Sequence, residues 1–132
     1  MTERLNIYKC SVCGNTVQVL LSGMGELVCC GEPMDLLMPH TSDNSELKDK
    51  HLPVFTDNGD NHKLIQLGSE LHPMSEEHYI QFIETISDDK NNLHIKYLKP
   101  NDIPTMTLNN SDNNVTAKAY CNIHGLWEAK ND

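Results

Sequence analysis

Nine side chains in this chain have the types and spacing to bind transition metals, and they fall into two groups. The first is C-x2-C-x15-C-C, formed by Cys10, Cys13, Cys29 and Cys30. A C-x2-C knuckle sets two thiolates on one side of a cation with backbone amides aimed at the sulfurs. A second pair returned by a hairpin closes a tetrahedral all-thiolate shell, which selects zinc or iron. The adjacent pair Cys29-Cys30 is unusual, because neighbouring thiolates on one ion require a strained turn. The second group is H-x20-H-x5-H-x42-C-x2-H: His51, His72, His78, Cys121 and His124. Four imidazoles and one thiolate supply five ligands and leave a sixth position open, which distinguishes a catalytic metal site from a closed structural one. Imidazole suits ferrous iron, and a thiolate pushes electron density onto it.

Singly, each histidine of the second group is weak evidence, and a lone cysteine on an apolar strand is ordinarily a small buried hydrophobe. The contexts make the set informative. His51 and His72 precede loops marked by Pro53 and Pro73, and His124 precedes Gly125. His40, His62 and His94 lack such settings and read as ordinary surface or core histidines.

The elements that must position these groups divide the chain in two. Four of the five cysteines precede residue 31, and six of the seven histidines lie between 40 and 94. Met34 to Leu47 passes from apolar to polar and reads as a linker, with the boundary near residue 38. This predicts a domain at 1–37 and a second at 38–132. The first has the short runs YKCSVC, TVQVLLSG and ELVCCGEPM, strands or turns in a unit too small for a useful apolar core. Domains below about 40 residues usually need a metal or disulfides to fold. The second has the runs LPVFT, KLIQLG, HYIQFIETI, LHIKYL, TMTL and VTAKAYC, separated by the turn clusters DNGDN, SDDKNN and NNSDNN. In LHIKYL the period of two suits a half-buried strand. No stretch makes a convincing long amphipathic helix. The expected architecture is mainly β: a small four-cysteine metal-binding domain followed by an immunoglobulin-like β-sandwich. A lone cysteine leaves that sandwich without an intersheet disulfide.

Composition narrows the function. The net charge of −9 is spread along the chain, so the surface repels nucleic-acid phosphates and anionic lipids. An anionic substrate would need a local positive site. MTERLNIYKC has no signal-peptide core, and no apolar run approaches a membrane span. The expected compartment is the cytoplasm, where five cysteines indicate metal or redox chemistry rather than disulfides. The N-x-[ST] matches at Asn109 and Asn114 are then chance.

YKCSVCGNTVQVL with LVCCGEPM resembles desulforedoxin, whose iron is bound by four cysteines including an adjacent pair. DKHLP, LHPM with EEHYI, and YCNIHG resemble the loops of the superoxide reductase catalytic domain. Together, from about Ile7 to Trp127, the chain is similar to the two-iron desulfoferrodoxin family. That resemblance implies two irons per chain, one at Cys10, Cys13, Cys29 and Cys30 and a catalytic one at His51, His72, His78, His124 and Cys121, with Cys121 axial. It implies one-electron reduction of superoxide to hydrogen peroxide, electrons from rubredoxin or a similar donor, and a homodimer. Lys50 matches the family's lysine beside the open position. Asp49 stands where the family usually has glutamate, which is one methylene longer and in the family can occupy the sixth position of the oxidised iron. Two other readings use the same residues. A zinc-stapled binding module would be colourless, and a two-iron electron carrier would have a closed second site.

Overall fold

The computed structural model describes residues 1–41, 51–57, 62–109 and 114–131, with the side chains of His62 and Asn109 left aside. Every described element is a strand, and the chain separates into two compact units, Met1–Met38 and Pro39–Asp132.

The first unit has five short strands: β1 (Ile7–Lys9), β2 (Thr16–Gln18), β3 (Val28–Cys29), β4 (Glu32–Pro33) and β5 (Asp35–Leu36). They form a three-stranded sheet in the order β2-β1-β5 and a separate β3-β4 hairpin. Leu5, Ile7, Cys10 and Val19 are buried, while Val12, Leu20, Leu21, Met24 and Val28 are exposed. Four buried side chains cannot offset the chain entropy of about 1–2 kcal/mol lost for each ordered backbone residue. The metal-dependent reading of this unit stands on that imbalance.

The reading of Met34 to Leu47 as a linker needs correction at its start. Asp35 and Leu36 pair with Lys9 and Tyr8 as strand β5. Pro39 opens the second unit. There the His40 amide donates to Leu126 O and the Glu128 amide donates to His40 O, each at 2.9 Å. Backbone bonding thus occupies Asp35–Leu36 before Pro39 and His40 after it. Residues 42–47 lie outside the described set.

The second unit has β6 (Pro53–Asp57), β7 (His62–Leu67), β8 (Ile80–Ser87), β9 (Leu93–Tyr97), β10 (Thr105–Asn109), β11 (Val115–Cys121) and β12 (Gly125–Asn131). They make two antiparallel sheets, β10-β7-β6 and β12-β11-β8-β9, the three-plus-four arrangement of an immunoglobulin-like sandwich. Ile65, Leu67, Ile80, Ile83, Leu108, Val115, Ala117, Ala119 and Cys121 form its core. In β11, Ala117, Ala119 and Cys121 face that core, as the period of two requires.

Two expectations change here. Strand β12 is not anticipated by the sequence reading, because GLWEAKN mixes apolar and charged residues; pairing along all of β11, from Val115↔Asn131 to Cys121↔Gly125, organises it. Strand β9 forms as expected but is not half-buried: Ile95 is 46% and Tyr97 79% exposed. It is the edge strand of its sheet, with β8 as neighbour on one side only, so alternation in its sequence is not matched by burial.

Candidate metal centres

In the first unit the C-x2-C knuckle leaves β1 directly. The Val12 and Cys13 amides each donate to Cys10 Sγ at 3.4 Å, and the Asn15 amide donates to Cys13 Sγ at 3.5 Å. The Cys13 and Val12 amides lower the Cys10 thiol to about 7. The other pair sits on the β3-β4 hairpin, where Cys29 pairs with Glu32. Between those two strand residues, Cys30 and Gly31 have φ of +54° and +75°. Positive φ at both central positions is the requirement of a type I′ turn, whose twist matches the flanking strands. This is the strained turn that the adjacent pair demands: Cys29 projects from a strand end and Cys30 from the turn, with Gly31 accepting the second left-handed position without a Cβ penalty.

The four sulfurs lie within 4.8 Å of one another, with Cys13 Sγ and Cys29 Sγ 3.5 Å apart. Hydrogen bonding with Cys13, then Cys29, pushes the Cys30 thiol up to about 12, and hydrogen bonding with Cys13 also raises Cys29. Within the cluster, then, Cys10 is the thiol inclined to ionise, and Cys29 and Cys30 are inclined to keep their protons. Four converging thiols with amides already aimed at the sulfurs are the donor set of an all-thiolate metal site.

In the second unit, topology brings the other five residues together. His51 precedes β6, His72 follows β7, His78 precedes β8, Cys121 ends β11 and His124 precedes β12. Because β6 is antiparallel to β7, and β8 and β12 are antiparallel to β11, these strand ends share one end of their sheets. Pro53 is the first residue of β6 and not part of a loop, a place where a missing N–H costs no ladder bond. The Gly68 amide donates to Leu52 O at 2.7 Å and holds His51 beside the end of β7.

The ligand atoms of His51, His72, His78, Cys121 and His124 all lie within 4.8 Å of one another. His51 Nε2 is 2.9 Å from His72 Nε2 and 3.1 Å from His124 Nδ1. One ring nitrogen carries one proton at most, so it cannot satisfy both neighbours by donation. The tautomer of His72 is set by its other nitrogen: Nδ1 lies 2.6 Å from Pro73 O, a carbonyl that only accepts. Nδ1 therefore carries the proton, and the Nε2 lone pair points inward. A metal-binding imidazole is oriented in this way by an outer carbonyl. Burial lowers His72 to about 4, so the ring is neutral. His51 and Cys121 are 1% and 0% exposed.

Cys121 and His124 share a tight hairpin whose Gly125 has φ +84°. The His124 amide donates to Cys121 Sγ at 3.4 Å, and Cys121 Sγ lies 3.8 Å from His124 Nδ1. The β11–β8 register shifts between Tyr120 and Cys121, a bulge of the kind that re-aims a side chain beside a site. Burial raises the Cys121 thiol, opposed by the His124 and Ile123 amides. A cation among the imidazoles would favour the thiolate. The four-cysteine group and the four-histidine, one-cysteine group fit two iron centres.

Three residues around the second group carry no signal in sequence. The Trp127 ring stacks against His51, with centroids 4.9 Å apart, and Trp127 Nε1–H donates to His124 O at 3.2 Å. The His40 ring also packs against the indole, with centroids 4.6 Å apart. Asn122 bonds the segment around His78. His40 reads as an ordinary histidine in the sequence, and Trp127 and Asn122 are not singled out there. Asp49 and Lys50 lie outside the described residues.

Comparison with known proteins agrees across both units. Residues 2–37 match the family described as desulfoferrodoxin, N-terminal domain, and residues 43–130 match the family described as desulfoferrodoxin. A desulfoferrodoxin homolog of Archaeoglobus fulgidus is 49% identical, over 98% of this chain and 99% of its own. Desulfoferrodoxin of Desulfarculus baarsii is 46% identical, over 99% of this chain and 100% of its own. The crystal structure of the superoxide reductase from Treponema pallidum is 25% identical with a TM-score of 0.73, covering 96% of this chain and 98% of that one. With two metal-binding constellations and matches of this extent, the chain belongs to the desulfoferrodoxin family.

Proposed function

We propose that this protein is a superoxide reductase, taking one superoxide, one electron and two protons to one hydrogen peroxide. The observation that carries the reading is the convergence of four imidazoles and one thiolate at one end of the sandwich. Iron held there supplies a single electron to superoxide. His51, His72, His78 and His124 are the ligands that hold it in neutral form, and Cys121 is the thiolate donor. The Pro73 carbonyl keeps the proton of His72 on Nδ1 and its Nε2 free to bind. The His124 amide, hydrogen-bonded to Cys121 Sγ, holds the sulfur's charge in place. Cys10, Cys13, Cys29 and Cys30 bind the other iron in a domain spanning 1–37, and 38–132 is the catalytic domain.

Lys50, next in sequence to His51, provides the local positive potential that a chain of net charge −9 needs to admit an anion. Asp49 beside it has the shorter carboxylate. Rubredoxin or a similar carrier returns the electron, the protein works as a homodimer, and its place is the cytoplasm. Among the described residues no helix is long and apolar enough to cross a membrane.

The test is stoichiometry. Protein supplied with an external reductant and a superoxide flux should form one peroxide for each superoxide consumed and release no dioxygen. Half a peroxide per superoxide, with dioxygen evolved, is dismutation and would replace this reading. Stoichiometric zinc at both sites of protein from iron-replete cells would also remove it.

A further inference from the structure

We infer that Asn122 is a positioning residue that fixes His78 relative to Cys121 and His124, by acting as a strand surrogate where the β11–β8 ladder breaks. The inference rests on the proposed second iron site. Regular pairing of β11 with β8 ends in the bulge at Tyr120 and Cys121, and the last register pair is Cys121↔Ile80. Beyond that point the chain on one side is Glu77-His78-Tyr79 and on the other Asn122-Ile123-His124.

Asn122 continues the pairing with both its backbone and its side chain. Its backbone N–H donates to Tyr79 O at 3.2 Å. Its side-chain Oδ1 accepts from the Tyr79 N–H at 3.0 Å, and its Nδ2 donates to Glu77 O at 3.0 Å. The partners decide the orientation of the amide, since an N–H must meet oxygen and a carbonyl must meet nitrogen. These bonds therefore bracket His78 from both sides, across 43 and 45 positions of sequence. They tie the loop carrying one imidazole to the loop carrying the thiolate and another imidazole.

The bonds between Ser75 and His78 are local and cannot do this. The Ser75 amide donates to His78 O at 3.1 Å, and the His78 amide donates to Ser75 Oγ at 3.2 Å. These close a turn but leave its distance from Cys121 unset. Nor is a shorter or longer side chain equivalent. Serine lacks a second group to reach Glu77, glutamine carries an extra methylene, and aspartate keeps the acceptor for Tyr79 but turns a second oxygen toward the Glu77 carbonyl. Groups that orient metal ligands typically contribute 10–100-fold to metal affinity.

Three readouts on the full-length protein test this: Tyr79 amide exchange in metal-free protein, second-site iron affinity by chelator competition, and the thiolate-to-iron charge-transfer band of the oxidised second site. The four-cysteine iron is the internal control. Asn122→Ala should expose the Tyr79 amide, lower second-site affinity about 10–100-fold, and shift the charge-transfer band, with the first-site spectrum unchanged. Asn122→Asp should keep Tyr79 protected and lose less affinity, and it carries the test if the alanine variant does not fold. In a His78→Ala background, Asn122→Ala should add little, because the ligand it positions is gone. Unchanged affinity and band in Asn122→Ala or Asn122→Asp, with only a lower melting temperature, would make Asn122 a structural residue and overturn the inference. Wild-type protein that fills the first site but binds no iron at the second would instead remove the site reading beneath it.

Discussion

The two metal centres of this protein are built at different ranges of sequence. The first is local: Cys10 to Cys30, a knuckle and a hairpin, with Cys13 and Cys30 exposed. The second draws ligands from His51 to His124, and three of them, His51, His72 and Cys121, are buried. The first unit supplies its thiols with backbone amides from the next two or three residues. The second relies on strand ends, a bulge and side-chain bonds 43 to 45 positions apart. A local site holds its own unit together; a long-range site depends on a sandwich that has a separate apolar core. Loss of a ligand should therefore unfold the first unit but mainly disable the second.

The largest effect should come from Cys121→Ser, which exchanges the soft thiolate for a poor donor while leaving the surrounding core in place. Reductase activity should fall by more than about 100-fold, beyond the range for a group that only orients a ligand. The charge-transfer band of the oxidised second site should vanish from the visible spectrum, while circular dichroism of the β-sandwich stays close to wild type. Retention of both band and activity would reduce Cys121 to a buried hydrophobe.

Cys13→Ser tests the opposite limb. Its fold being linked to the metal, the first unit should lose amide-exchange protection and become susceptible to limited proteolysis. Pre-reduced protein should still react with superoxide at close to the wild-type rate. If that reaction is lost while the second iron remains, the two centres are coupled and the contrast between them fails.

Lys50→Ala probes access rather than assembly. Removing the positive charge should slow the bimolecular reaction with superoxide at least several-fold, against the roughly 10-fold or greater gain that local steering supplies. Added salt should matter less than in wild type, because steering is screened over about 8 Å at physiological ionic strength. Asp49→Ala should change the rate much less. Pulse radiolysis over a range of ionic strengths checks both, and an unchanged rate and salt slope in Lys50→Ala would take lysine out of the mechanism.

Trp127→Phe should have the smallest effect. It keeps an aromatic ring beside His51 but removes the bond from Nε1–H to His124 O. A lost bond of about 1 kcal/mol lowers the melting temperature of a domain this size by roughly 4–8 °C. Calorimetry should find that shift in the second unit's transition only. A comparable shift in the first unit's transition would contradict their independence.

The same contrast explains what could be read without the structure. All nine metal-binding candidates were legible, the first four by spacing and the other five only as a set of contexts and by resemblance. A strained turn at the adjacent pair was legible, since two neighbouring ligands on one ion leave few backbone conformations, but its type, with positive φ at Cys30 and Gly31, was not. Strand β12, the exposed edge position of β9 and the strand β5 inside the expected linker were not legible. Each depends on which neighbour a strand finds, and propensity is silent about neighbours. Pro53 was misplaced for the same reason: it looks like a loop residue until pairing makes it the first residue of a strand.

The sequence by itself determined the donor types, the division near residue 38, the β class and the net negative charge that makes Lys50 conspicuous. These depend on residue chemistry and on short-range periodicity, both written along the chain. Only the tertiary structure decided which nitrogen of His72 faces inward, that Trp127 braces His51 and His124, and that Asn122 spans the broken ladder. Those are properties of atoms brought together from distant positions, where a carbonyl or an amide becomes a partner only after the antiparallel strands have set their ends side by side.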